Sequence, residues 1–219
     1  IKQAVTKLPR EWEVNYKPWE YLHLLQLKES FADAGLELSV LEGDPFPMNR
    51  IKTGQEGQDE DIEQFCQLLR NMGEIGIPLY CYNFMVQQTH LKTKLRTSLT
   101  TRTRGEALTT SFDYSMLKND PSMNSMKISA AELWANFEYF LKRVVPVAEE
   151  AGVKLALHPD DPPLSSVNGI DRIFSSPEAF RKAVELVPSE INGITFCQGN
   201  FAAMGADLEE TVRYFAARD

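Results

Sequence analysis

Two side chains able to ligate a metal, His158 and Cys197, each end a short apolar run, Leu155-Ala-Leu-His158 and Gly193-Ile-Thr-Phe-Cys197. The runs lie about forty residues apart and share a layout, as two buried parallel strands joined by a crossover would. Both side chains then sit at the same end of neighbouring strands, the end where parallel α/β folds build their active sites. Residues 159–163, Pro-Asp-Asp-Pro-Pro, follow the histidine. The prolines stiffen that turn, and Asp160 and Asp161 can orient the imidazole through its second nitrogen. A metal-assisted enzyme is the reading this arrangement favours. The competing reading makes His158 a satisfied core histidine and Cys197 a small buried residue.

Glu42 ends another apolar run, Leu36–Leu41, and such a carboxylate needs a cation or a Lys or Arg partner. It is therefore the internal candidate for further ligation or a substrate contact. His23 falls within a helical pattern and His90 within an insert, so both read as exposed or half-buried polar residues.

Five strands are expected to position these groups: Lys2–Leu8, Leu36–Leu41, Pro78–Phe84, Val153–His158 and Gly193–Cys197. Helical patterns lie between them. Pro18 suits the first turn of a helix reaching Ala34. Ile62, Phe65, Cys66, Leu69 and Met72 line one helical face, which Gly73 and Gly76 end. Ser129 and Glu132 form a capping box for a helix running to about Ala151 through Pro146. Ser176-Pro177 and Asp207 open two more. A glycine (Gly35, Gly76, Gly152, Gly193) precedes four of the strands. Polar residues collect just after strands: Glu42 and Asp44, Asn83, His158 with Asp160 and Asp161, then Cys197 and Gln198.

Contributions from many strand ends to one site are the habit of a TIM (β/α)8 barrel. No GxGxxG or GxxxxGK[ST] loop follows a strand. The fold class expected is thus α/β, a TIM barrel of which about five βα units are visible, with residues 1–219 as one partial domain. Residues from about 86 to 128 break the rhythm. They carry Lys92, Lys94, Arg96, Arg102 and Arg104, and alternation through Leu91–Leu99 with a turn at Arg104-Gly105 suggests a hairpin. The insert reads as a substrate lid or an oligomer contact.

A net charge of −8 argues against a nucleic-acid or anionic-membrane partner. There is no run of eighteen apolar residues and no charged-then-apolar leader. Cys66, Cys81 and Cys197 show no CxxC spacing, which suits a reducing, cytoplasmic setting. Cys66 and Cys81 read as small core residues.

With these segments in hand, the chain resembles the mannonate dehydratases, lyases of the xylose-isomerase-like TIM-barrel group. The matching stretches are residues 156–163 (Ala-Leu-His-Pro-Asp-Asp-Pro-Pro), 193–199 (Gly-Ile-Thr-Phe-Cys-Gln-Gly), 81–85 (Cys-Tyr-Asn-Phe-Met) and 146–153 (Pro-Val-Ala-Glu-Glu-Ala-Gly-Val). Leu38–Glu42 and Arg172-Ile173 also fit. The resemblance implies a hydro-lyase, a carbon–oxygen lyase that removes water from D-mannonate to give 2-keto-3-deoxy-D-gluconate. It implies one divalent metal, manganese first, on a Cys, two His and an Asp. His158 and Cys197 match the first His and the Cys, respectively. The second His, the Asp and the catalytic acid and base belong to later strands, beyond Asp219. The ligand chemistry alone leaves zinc, cobalt or iron open, because a thiolate prefers softer ions than manganese. Under this resemblance Arg96 and Arg172 are expected to meet the sugar acid's anionic end. Glu42, Asn83 and Gln198 are expected to contact it elsewhere, and the family suggests a homodimer. The insert departs from the family pattern, with Leu95-Arg96-Thr97 in place of its Trp-Thr-Arg-Thr run. Two alternatives stand beside the lyase: a metal-dependent sugar isomerase or epimerase on the same barrel, and a non-catalytic sugar-acid-binding paralogue.

Overall fold

Runs of branched and aromatic residues form strands here because crossover helices cover one side of each. The computed structural model describes residues 2–9, 17–86, 96–117, 127–167 and 169–217. In chain order it runs β1 (Gln3–Thr6), α1 (Tyr21–Asp33), β2 (Glu37–Glu42), α2 (Asn49–Thr53), α3 (Gln58–Ile75) and β3 (Leu79–Tyr82). A hairpin of β4 (Ser98–Arg102) and β5 (Leu108–Ser111) follows, then α4 (Tyr114–Leu117), α5 (Ala130–Ala151) and β6 (Lys154–Leu157). A small hairpin, β7 (Ser166–Val167) and β8 (Ile170–Asp171), precedes α6 (Pro177–Leu186), β9 (Asn192–Ile194), α7 (Gln198–Ala203) and α8 (Leu208–Ala216).

The main sheet is β1-β2-β3-β6-β9, with every neighbouring pair parallel. The order never doubles back. Each crossover sets the next strand beside the last, which is how a barrel winds; a doubly wound sheet reverses part-way. The expected barrel geometry is therefore present as an arc of five staves.

Strand alternation decides which side chains face the site. Tyr80 and Tyr82 pack their rings on Phe65 of α3 and Phe140 of α5, so they face the helices. Leu79 and Cys81 must then face the concave side. The register carries that face across the sheet: Glu42 sits beside Cys81, Cys81 beside Ala156, and Ala156 beside Gly193. The other face is the apolar core, where Phe65, Leu69, Met72, Phe137, Phe140, Val144, Leu155 and Leu157 are buried.

Local signals explain most helix ends. Ser129 accepts from Glu132 N, and the Glu132 side chain accepts from Ser129 N, completing the capping box. Ser176 and Asp207 cap α6 and α8 through Ala179 N and Glu210 N. Gly35, Gly76 and Gly152 adopt positive φ at helix ends, where a side chain would be strained.

Several boundaries differ from the sequence expectation. Pro18 lies in a turn before α1, in which Glu20 N–H donates to Lys17 O at 2.9 Å, rather than in its first turn. Gly193 is inside β9, not ahead of it. Cys197 lies past the end of that strand, which stops at Ile194. The hairpin is confirmed around Arg104–Glu106, but its strands begin at Ser98; residues 91–95, with Lys92 and Lys94, lie outside the described ones, as does His90.

Gly73 does not end α3 but lies within it, and its role is steric. A Cβ there would sit 2.3 Å from the backbone O of Ala151, where α3 packs against α5. Gly73→Ala is expected to force the two helices apart and destabilise the protein by about 1–3 kcal/mol. Urea unfolding measures this; an unchanged midpoint would show that α5 yields freely there.

Candidate metal centre at the strand ends

β6 and β9 pair in register up to Leu157 and Ile194. The ladder then extends beyond both strands. His158 N–H donates to Tyr82 O at 2.7 Å, and Thr195 N–H donates to Leu157 O at 2.9 Å. Alternation therefore sets His158 and Thr195 on the concave face with Glu42, Cys81 and Ala156. After Thr195 the chain turns: Cys197 N–H donates to Thr195 O at 2.8 Å, and Cys197 O accepts from Phe201 N at 3.0 Å as α7 begins. The half-buried Cys197 thus stands at the carboxyl end of the strand next to His158's.

His158 Nδ1 lies 2.8 Å from Pro159 O. A carbonyl only accepts, so the ring must donate from Nδ1, and neutral imidazole then keeps its lone pair on Nε2. That is the state a metal ligand needs. The orienting group is a backbone carbonyl, not the Asp160 or Asp161 carboxylate expected from the sequence. Asp160 accepts from Phe174 N at 2.8 Å, and Asp161 pairs with Arg96 at 2.9 Å.

Cys81 is buried, as read, but on the concave side. Its Sγ lies 2.9 Å from Thr195 Oγ1. Burial pushes this thiol up to about 11; the Thr195 hydrogen bond acts downward, and the nearby Glu42 and Cys197 act upward. Glu42 and Cys197 therefore each lie within electrostatic reach of Cys81. Glu42 also has a partner, Lys7 at the end of β1, with Nζ 3.3 Å from Oε1. Among the described residues no three His, Cys, Asp or Glu side chains form one group able to hold a metal. His158 and Cys197 stand at the carboxyl ends of two neighbouring strands.

The anion-binding candidates differ in state. Arg96 donates to Asp161 Oδ2 at 2.9 Å, tying the root of the insert to the loop after His158. Arg172 is only 8% exposed, and its Nε and Nη1 find no hydrogen-bond partner among the described residues. Burial lowers the pKa of this guanidinium, while Asp160 and Asp161 act to raise it. Burial likewise raises the Asp160 carboxyl, against the pull of Arg172 and the Phe174 N–H. Gln198 is exposed at the start of α7. His23 Nδ1 donates to Lys17 O at 2.8 Å, away from these groups on α1.

Sequence reading missed Lys52. It is wholly buried on α2, with Nζ 2.9 and 2.8 Å from the two Asp44 oxygens, 2.9 Å from Met85 O and 3.3 Å from Asn83 Oδ1. Asn83 Nδ2 donates to Asp44 Oδ1 at 3.3 Å. The cluster of Asp44 and Asn83 after two apolar strands was the available clue, since two such groups at buried strand ends call for a cation.

This geometry can be set beside known proteins. The family model described as D-mannonate dehydratase (UxuA) matches residues 5–124 and 121–219. Mannonate dehydratase of Streptococcus pneumoniae (strain 70585) is 37% identical over 205 residues, covering 84% of this chain and 56% of that protein. The enzyme of the same name from Streptococcus suis (strain 05ZYH33) matches to the same extent. The chain thus spans about half the length of the curated relatives it matches. The crystal structure of mannonate dehydratase from Streptococcus suis serotype 2 superposes with a TM-score of 0.85 at 35% identity, covering 100% of this chain and 63% of that one. A xylose isomerase domain protein from Planctomyces limnophilus, with a TM-score of 0.55 and 12% identity over 100% of this chain and 61% of its own, shares the fold alone. The arc of five staves is thus the fold of the xylose-isomerase-like TIM barrels, and the chain belongs to the D-mannonate dehydratase family.

Proposed function

We propose that this chain carries metal-holding and substrate-binding parts of a hydro-lyase that converts D-mannonate to 2-keto-3-deoxy-D-gluconate. The observation that carries the reading is His158, its Nδ1 committed to Pro159 O and its Nε2 left for a cation, one strand from Cys197. His158 and Cys197 would hold a divalent metal, with manganese ahead of zinc, cobalt or iron. When bound, that ion supplies Lewis acidity where charge develops beside the substrate carboxylate. The buried Arg172 has two N–H groups to offer the carboxylate itself. Asn83, Gln198 and Glu42 then contact hydroxyls. Arg96 holds Asp161 and serves better as the hinge pin of a lid than as a standing carboxylate clamp. The groups that take the proton from C2 and protonate the departing hydroxyl are not assigned to residues of this chain.

In this reading the partners are a small sugar acid and a second copy in a homodimer, with neither nucleic acid nor membrane, in the cytoplasm. Among the described residues no helix is long and apolar enough to cross a membrane. The test is incubation of the purified protein that carries this chain with D-mannonate and each metal, followed by mass analysis. A 2-keto-3-deoxy acid, lighter by one water, is the expected product. An isomer of unchanged mass would replace the lyase by an isomerase or epimerase. Mannonate binding with neither metal nor turnover would make the chain a non-catalytic binding paralogue.

A further inference from the structure

Buried charge is unevenly distributed in this molecule. The buried charged side chains among the described residues are Lys52, Asp61, Asp160 and Arg172. Asp61 is matched by Arg50; the other three lie beside the loops that follow β2, β3 and β6. Lys52 is the most enclosed of them, at 0% exposure. A desolvated ammonium is not the most stable way to fill such a space, since apolar residues of similar size would serve as well or better. Its retention calls for a role in what it touches.

What it touches decides the orientation of one amide. Asn83 Oδ1 accepts from Lys52 Nζ at 3.3 Å and from Met85 N at 3.1 Å. Both partners only donate, so this atom must be the oxygen, and a flipped carboxamide would set its NH2 against two donors. Nδ2 faces the acceptor Asp44 Oδ1. With both lone pairs of the oxygen taken, the half-buried Asn83 keeps an N–H donor for a ligand and no acceptor. The same ammonium holds Met85 O, and Met85 Sδ in turn accepts from Asp161 N at 3.1 Å, in the loop that carries His158.

We infer that Lys52 is a positioning residue: held by Asp44, it locks the Asn83 carboxamide so that an N–H faces the sugar-acid oxygens. The inference rests on Asn83 being a substrate contact in the proposed reaction. Lys52→Met alone would leave Asp44 a buried carboxylate without its cation, so the variant to use is Lys52→Met with Asp44→Asn. In asparagine-labelled 15N NMR of the ligand-free protein, the Asn83 signals are assigned by their loss in Asn83→Asp. Compared with Asp44→Asn alone, which already changes the acceptor facing Asn83 Nδ2, the double variant is expected to shift both Asn83 side-chain N–H signals and speed their solvent exchange at least about tenfold. Unchanged signals overturn the inference. If the double variant does not fold, Lys52→Gln, which leaves Asp44 in place, is compared with wild type and read in the same way. In the mannonate assay the double variant is expected to raise KM about tenfold with little change in kcat. Adding Asn83→Ala to it should then give a protein no worse than Asn83→Ala alone; effects that multiply instead would overturn the route through Asn83. Should the wild type not dehydrate mannonate, the functional reading fails, while the NMR comparison still decides the role of Lys52.

Discussion

His158→Ala is expected to lower mannonate dehydration on the order of 10³-fold, because a cation contributes several kcal/mol of charge stabilisation and each 1.36 kcal/mol is a factor of ten. Bound metal, measured after gel filtration, is expected to fall with it, and Cys197→Ser should act in the same direction. Folding should change little, since the ring is only half-buried and its one polar contact among the described residues is the Pro159 carbonyl. The discriminating result is metal content. If both variants retain wild-type metal, neither residue is a ligand, and the lyase reading loses the observation that carries it.

The largest stability effect is expected at Phe137. Its ring meets Phe84 at 5.0 Å, Phe174 at 4.8 Å and Trp134 at 6.0 Å between centroids, and the residue is fully buried. Phe137→Ala removes the hub of this layer and should cost about 3–5 kcal/mol in urea unfolding. The site should feel the change as well. Phe84 directly follows Asn83, and Phe174 exchanges two hydrogen bonds with Asp160, at 2.8 and 3.0 Å. An exposed Leu99→Ala variant, on the insert hairpin, should stay within about 0.5 kcal/mol of wild type. Comparable losses at both positions would mean that the aromatic layer is not what holds these loops.

Much of this architecture was legible because it rests on local rules. Apolar runs fixed the five strands, and Ser129 with Glu132, Ser176 and Asp207 marked helix starts through bonds spanning three residues. The concave face was legible too, since His158, Asn83 and Glu42 each end or follow an apolar run. Contacts between distant segments were not. Lys52 stands in Arg50-Ile-Lys-Thr, where no neighbour in sequence signals burial; its burial depends on Asp44, Asn83 and Met85, groups on two other loops. Asp160 and Asp161 were assigned to His158 by adjacency, whereas Phe174 and Arg96 claim them through folding. Gly73 looked like a helix stop because nothing nearby in sequence announces Ala151.

The uniform winding of the sheet has a practical side. Among the described residues β1 and β9 end the strand order, so each has a neighbour there on one side only, and Val5 on β1 is 58% exposed. Rows of free amides and carbonyls beside apolar side chains invite pairing between molecules. Rates, melting temperatures and NMR line widths for this chain should therefore vary with how concentrated the sample is, and dilution series belong beside every variant compared.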